Sequence, residues 1–425
     1  MLRKKLAAAA AVGTAVALAL AGCGVGGGGA SSSADSITVL VEAGGHAELQ
    51  PIADLYKKDT GTKVTFVELP YDGLYNRLNS EFTSGTVSFD VAALDAIWLP
   101  AFKDAVTPLN DQFTSAVKDD LFPALVTEAN VGGTYVGMPV WTNSEILYYR
   151  KDLFDDAANK AAFKAKYGYD LVPPTTWQQY QDAAAFFTQP DKGLYGTDVK
   201  GAVETEYLAT LSQTGEKTMV LDPSGSDISL GDENSVKALD FYTGLQKYAP
   251  AGAAQLDWAG GQNLFNQGKT AMMRFWAHAY RQIPKDASVA GKVGVAPMIA
   301  GPGGIAGVPG AWYLSVAKAS TKQKQGLDFV KFAYEHNALS AETSLGLVAR
   351  KSAFVKYQDE PGYENYKPLV ETLDAQATIP RPATPKWQQI VDTVLTPMIQ
   401  KSLQPGADNA ALLKAAKEQV QSLVK

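Results

Sequence analysis

Two rhythms of apolar and polar positions alternate along the first third of the chain. Ile37-Thr-Val-Leu-Val-Glu42 is a β-rich apolar run, and Ala47 to Thr60 has a helical pattern stopped by Gly61. Lys63-Val-Thr-Phe-Val-Glu-Leu69 predicts a second strand. Tyr71 to Ser84 predicts an amphipathic helix with Leu74, Leu78 and Phe82 four apart. Phe89-Asp-Val-Ala-Ala-Leu94 is a third strand, apolar enough to be buried on both faces. A βαβαβ order of this kind implies a doubly wound, mostly parallel sheet with ligands beyond the carboxyl ends of its strands. Those ends carry Glu42 to His46, Leu69 to Asp72, and Asp95 to Trp98.

Later segments predict a helix opened by Pro173-Pro-Thr-Thr-Trp177 and running through Thr188, and helices from Ser235 to Tyr248, Thr321 to Asn337 and Asn409 to Val424. Further strands are expected at Thr270 to Phe275, Val293 to Pro297 and Trp312 to Val316. A Gly/Pro-rich loop, Gly301 to Gly310, separates the last two, and no internal repeat is present.

The amino terminus follows a different logic. Met1-Leu-Arg-Lys-Lys5 is a positive segment, Leu6 to Leu20 an uncharged apolar one, and Leu20-Ala21-Gly22-Cys23 follows. A short apolar run ending in small residues reads as a secretory signal, residues 1–22, rather than a spanning helix. The four residues resemble a bacterial lipobox, which implies that Cys23 is lipidated and that the mature chain is anchored at the extracytoplasmic face of the cell membrane. The alternative is an ordinary signal peptide with a chance cysteine. Residues 23–35 then form a Gly/Ser tether with a reach of about 20 Å. Cys23 is the only cysteine. Once it is lipidated no disulfide can form, and core burial alone must hold the fold.

Charge narrows the partners. The precursor carries a net charge of -6, and loss of Arg3, Lys4 and Lys5 with the signal makes the mature chain more acidic still. An acidic chain without basic blocks argues against nucleic acid. The three histidines are far apart and in no metal spacing. No nucleophile elbow, phosphate loop or dinucleotide fingerprint is present. A pair of carboxylates could still serve a glycosidase, yet among 44 acidic residues none is singled out. Seven tryptophans and nineteen tyrosines offer rings for the apolar faces of sugars, though most such rings serve a core.

Ordered motifs carry a resemblance across the mature chain. These are Phe89-Asp-Val-Ala-Ala-Leu-Asp95 with Trp98 and Pro108-Leu109; Gly133-Thr-Tyr-Val-Gly-Met-Pro139 with Asn143; Leu147-Tyr-Tyr-Arg-Lys-Asp-Leu153; Pro174-Thr-Thr-Trp177; Gly268-Lys-Thr-Ala-Met-Met273; Gly310-Ala-Trp312; Leu345-Gly-Leu-Val-Ala-Arg350; and Trp387. Together the chain resembles the extracellular solute-binding lipoproteins of carbohydrate ABC transporters, a family similar to maltose-binding protein. The resemblance implies an α/β, two-lobed periplasmic-binding-protein-like fold, each lobe a doubly wound mostly parallel sheet, joined by hinge crossings. Lobe one would take 36–140 plus 298–341, and lobe two 141–297 plus 342–425. The crossings would fall near Val140 to Asn143, Gly294 to Met298 and Gly346 to Arg350.

The implied function is capture of a carbohydrate, a di- or oligosaccharide, by a monomer that passes it to permease subunits without chemistry. The implied binding role needs no cofactor. A non-sugar solute on the same scaffold, or a secreted glycoside hydrolase, are the alternatives. By resemblance the ligand-binding residues are Glu42, Tyr71, Asp95, Trp98, Asn143, Trp258, Trp276, Trp312 and Trp387, with Arg381 a weaker candidate. For Asp95 the alternative is a helix N-cap. Which aromatic ring near Trp276 and His278 faces the cleft is left open. Trp141 is expected at the hinge, and Arg350 in a structural ion pair.

Overall fold

The computed structural model describes residues 36–222 and 225–425. The signal segment, Cys23 and the tether lie outside the described residues. The main elements are numbered in chain order.

The first sheet begins with β1 (Ser36–Glu42), α1 (Gly45–Thr60), β2 (Lys63–Leu69), α2 (Tyr71–Ser84) and β3 (Val91–Asp95). Both helices stop where the sequence places a glycine. Gly61 and Gly85 adopt φ of 78° and 70°, the left-handed region in which only glycine is free of strain. All of β3 is buried, which explains its unbroken apolar pattern. Two more strands complete this sheet, β4 (Met138–Trp141) and β8 (Trp312–Val316), in the order β2-β1-β3-β8-β4. A second sheet contains β5 (Glu145–Arg150), β6 (Met272–Trp276) and β7 (Val293–Ala296), in the order β6-β5-β7.

Strand directions are more mixed than the sequence reading expects. β1 runs parallel to β2 and β3, but β8 is antiparallel to both β3 and β4. Both pairings in the second sheet are antiparallel. A strand buried on both faces has the same apolar signature in either direction, and the direction here follows from a chain that leaves the first sheet at β4 and re-enters at β8.

Only Thr142 to Ser144 separate β4 from β5, so the chain steps from one sheet to the other within three residues. The Thr142 amide donates to the Val348 carbonyl at 2.9 Å, and the Gly310 amide donates to the Asn143 carbonyl at 2.8 Å. Asn337, fully buried, donates its amide to the Val140 carbonyl at 2.5 Å and accepts from the Ala349 amide at 2.7 Å. Glu48 of α1 accepts from the amides of Leu345 and Leu347 at 3.0 and 3.3 Å. Three separate passages of the chain are thereby tied into one bundle between the sheets. Arg350 pairs with Asp120 at 2.7 Å beside it.

Helices α3 (Trp177–Phe187), α4 (Thr205–Ser212), α5 (Glu233–Gly244) and α6 (Trp258–Asn266) follow β5 in the chain. After β8 come α7 (Gln323–Glu335), α8 (Trp387–Ile390), α9 (Thr396–Ser402) and α10 (Asn409–Val424). α9 and α10 pack against α5.

Between α4, α5 and β6 lies a fully buried set of four charges. Lys200 Nζ is 2.6 Å from Asp198 and 2.5 Å from Glu206, and Arg274 Nη2 is 3.1 Å from the other Glu206 oxygen. Burial opposes the Lys200 charge, but Asp198 and Glu206 outweigh it and raise its pKa. The charges balance in sign, which is what makes so dry a placement tolerable. Glu206→Gln should destabilise the protein by about 3–5 kcal/mol, because it strands Lys200 and Arg274 on one carboxylate. Loss of the exposed Lys237–Glu233 pair should cost no more than about 0.5 kcal/mol. Urea unfolding midpoints compare the two; equal effects would contradict the assignment.

Candidate functional site

A single register position assembles one wall of a cavity. Trp312 of β8 lies opposite Asp95 of β3 on one side and Trp141 of β4 on the other. Glu42 ends β1, and Tyr71, two residues beyond the end of β2, opens α2. These strand ends face the second sheet, where Trp276 ends β6 and Trp258 opens α6. The cavity enclosed has a volume of about 940 Å³.

Seven of the nine residues expected at a ligand site line this cavity: Glu42, Tyr71, Asp95, Asn143, Trp258, Trp276 and Trp312. Trp98 and Trp387 do not, and here the structure corrects the expectation. Trp98 is 1% exposed and packs behind the wall, with ring centroids 4.7 Å from Tyr71 and 5.5 Å from Trp312. Trp387 is fully buried on α8, which packs against Ala96–Trp98. Both rings support the cavity from outside it. Trp141, expected at the hinge, is a wall residue, and so is His278.

The rings form two groups. Tyr71, Trp141 and Trp312 lie on the first-sheet side, with Trp141 and Trp312 centroids 6.0 Å apart. Trp258 and Trp276 lie on the other, 5.6 Å apart. Gly310 allows this second group its place: a Cβ there would lie 2.5 Å from the Trp276 ring. Gly44, at φ 96°, turns the chain from β1 into α1 beneath Glu42.

Asp95 is heavily engaged. Its Oδ2 accepts from the Tyr71 hydroxyl at 3.0 Å, and its Oδ1 accepts from Arg381 Nη2 at 2.9 Å and from the Ile97 amide at 3.2 Å. The last bond makes it the N-cap of the short helical turn Ala96–Trp98, so the capping role and the place in the cavity wall coexist. Arg381 reaches this position from the loop before α8. Burial disfavours its charge, but Asp95 and Glu128 hold the guanidinium protonated. Neither Arg381 nor Glu204, a further wall residue, belongs to a patterned segment. Both come from loops that tertiary packing alone brings here, and no local sequence signal marks Glu204.

Asn143 Nδ2 is 2.6 Å from His278 Nδ1. Burial pushes the His278 pKa down to about 4, so the ring is neutral and Nδ1 accepts. Burial, and then Asp95, push Glu42 up to about 7. Glu204 is also raised by burial. Among the described residues no group of three or more metal-ligating side chains is placed to hold an ion.

The geometry is that of a two-sheet binding protein with a ligand cavity at the junction. The profile of bacterial extracellular solute-binding proteins matches residues 41–338, and the chain belongs to that family. A protein of Deinococcus radiodurans described as a probable ABC transporter-binding protein is 30% identical over 302 residues, covering 68% of this chain and 69% of its own. Among solved structures, a solute-binding protein from Agrobacterium radiobacter K84 in complex with ribitol superposes with a TM-score of 0.75 at 24% identity, covering 92% of this chain and 98% of its own. Maltose-bound MalE3 of T. maritima superposes at 0.72, also at 24% identity, over 92% of this chain and all (100%) of its own. These likenesses establish the two-lobed fold.

Three carboxyls buried by folding make stability depend on pH. Burial raises Glu42, Glu128 and Glu145 from 4.5 to about 7 each. A raised carboxyl favours the folded state while it is protonated. That contribution is complete below pH 4.5 and is lost as the pH rises through 7. The melting temperature should therefore fall between pH 5 and pH 8. Glu128→Gln, which keeps an acceptor for the Tyr313 hydroxyl, should stabilise by about 1–3 kcal/mol at pH 8 and far less at pH 5. Calorimetric scans across this range check both; a variant curve parallel to the wild type would refute the burial argument.

Proposed function

We propose that the protein captures a carbohydrate in the cavity between its sheets and delivers it unaltered to the permease of an ABC importer. The observation that carries the reading is the pair of aromatic groups on opposite sides of a cavity that also bears carboxylates and an amide. Rings take the C–H faces of a saccharide, and Asp, Glu and Asn take its hydroxyl edges. A volume of about 940 Å³ suits a di- or oligosaccharide, with a polyol as the smaller alternative. Three crossings accord with closure about a hinge: one at 142–144, one near 346–350, and one near Gly310 rather than at the expected 294–298, because Ala300 and Gly303 still bond Thr175 and Gln213 on the second-sheet side. Cys23 and its tether would hold the protein, as a monomer, at the extracytoplasmic membrane face, where local concentration favours hand-over.

A thermal-shift screen over neutral saccharides and alditols should give a raised melting temperature with at least one class. No shift across the whole set would remove the carbohydrate reading. The saccharide that binds should be recovered intact after prolonged incubation; cleavage would favour the hydrolase alternative.

Two substitutions separate wall from support. Trp276→Ala should weaken binding by about 1–3 kcal/mol in calorimetry while leaving the fold stable. Trp98→Ala should cost about 3–5 kcal/mol of stability, since it empties a core position. If Trp98→Ala instead weakened binding with stability intact, the division of roles would be wrong. For the anchor, cells fed labelled fatty acid should label the wild-type chain and not Cys23→Ser.

A further inference from the structure

The polar groups of the cavity are out of balance. Five acidic residues line it, Glu42, Glu48, Asp95, Glu204 and Asp392, against one guanidinium, Arg381. His278 is held neutral by its burial, with Nδ1 bonded to Asn143. Two of the carboxylates are satisfied by the protein: Glu48 by the amides of Leu345 and Leu347, and Asp95 by Arg381 and Tyr71. Those bonds consume the Arg381 Nη2 and Tyr71 donors. Asp392 is exposed and accepts from Gln388 at 3.0 Å. Glu42 and Glu204 remain. Glu42 ends β1 and Glu204 immediately precedes α4, both on the cavity wall. No side chain among the described residues donates a hydrogen bond to either, though Arg381 favours the Glu204 charge from a distance. Asn143, 6% exposed, adds an acceptor, Oδ1, that has no donor.

Acceptors without donors, in surplus negative charge and between tryptophan faces, describe a partner that is itself a donor and positive. A neutral hydroxyl can donate a hydrogen bond but leaves the charge uncompensated, whereas an ammonium supplies donors and charge together. Tryptophan faces attract the same group through the ring quadrupole. We propose that the ligand is a saccharide or alditol bearing a protonated amine, with the nitrogen held between Glu42 and Glu204 near Asn143. The inference rests on the carbohydrate reading above and narrows its ligand class.

The test uses matched probes on the intact mature protein. Calorimetry at neutral pH compares β-1,4-linked diglucosamine with cellobiose, and 1-amino-1-deoxysorbitol with sorbitol. Each pair differs only in ammonium for hydroxyl. In at least one pair the amine should bind about tenfold tighter or more. That ratio should shrink with added salt, and Glu42→Gln and Glu204→Gln should each reduce it further. Neutral members binding as tightly as the amines, or more tightly, would overturn the amine assignment and leave the carbohydrate reading standing. A preference that survives in both variants would overturn the assignment to these two carboxylates. If neither the probes nor any neutral saccharide or alditol bound, the carbohydrate reading itself would fall, and the amine with it.

Discussion

The whole arrangement depends on the brevity of the step between β4 and β5. Three residues, Thr142 to Ser144, carry the chain from one sheet to the other. So short a link forces the end of β4 and the start of β5 to be neighbours, and whatever their strands present at those ends must share a space. Backbone groups in a link this tight cannot be left unpaired away from water. They are met by the other passages between the sheets: Val348 accepts from Thr142, and Gly310 donates to Asn143. The same bonds that satisfy the crossing therefore fix where Gly310, Trp312 and Leu347 lie, and all three are cavity residues. Asn337 adds a side chain that imitates backbone on both sides of the bundle.

The cavity inherits its chemistry from this junction. Strand ends bring together a carboxylate that caps a turn, the indoles of Trp141, Trp276 and Trp312, and a carboxyl at the last position of β1. Arg381 then enters from the carboxy-terminal loop and fastens to Asp95. Its charge is bonded to Asp95 and also favours the charged form of Glu204, while burial raises the pKa of both Glu42 and Glu204.

Much of this was legible in the sequence because local physics decided it. Gly61 marked the end of α1, and the unbroken apolar run at Phe89 to Leu94 announced a strand buried on both faces. Strand ends in such a sheet point to the ligand side, so Glu42, Tyr71 and Asp95 could be named in advance. Strand direction was not legible, since burial pattern is blind to it. Nor was the division of the tryptophans. Trp98 stands only three residues beyond Asp95, and a short helical turn decides that its ring goes behind the wall. Trp387 has no local signal for which face of its helix is covered. Glu204 and Arg381 lie in loops, where only the packed fold determines their company.

The contact between Gly310 and Trp276 sets a limit on how the cavity can diversify. The indole occupies the volume that any side chain at position 310 would need. The depth of the aromatic wall is thus encoded at a residue that has no side chain of its own, on a segment different from the ring it serves. Replacing Trp258 or Trp276 changes a single ring of the wall. A change at position 310 is of another kind: it would displace the wall itself, and with it the size of solute that fits.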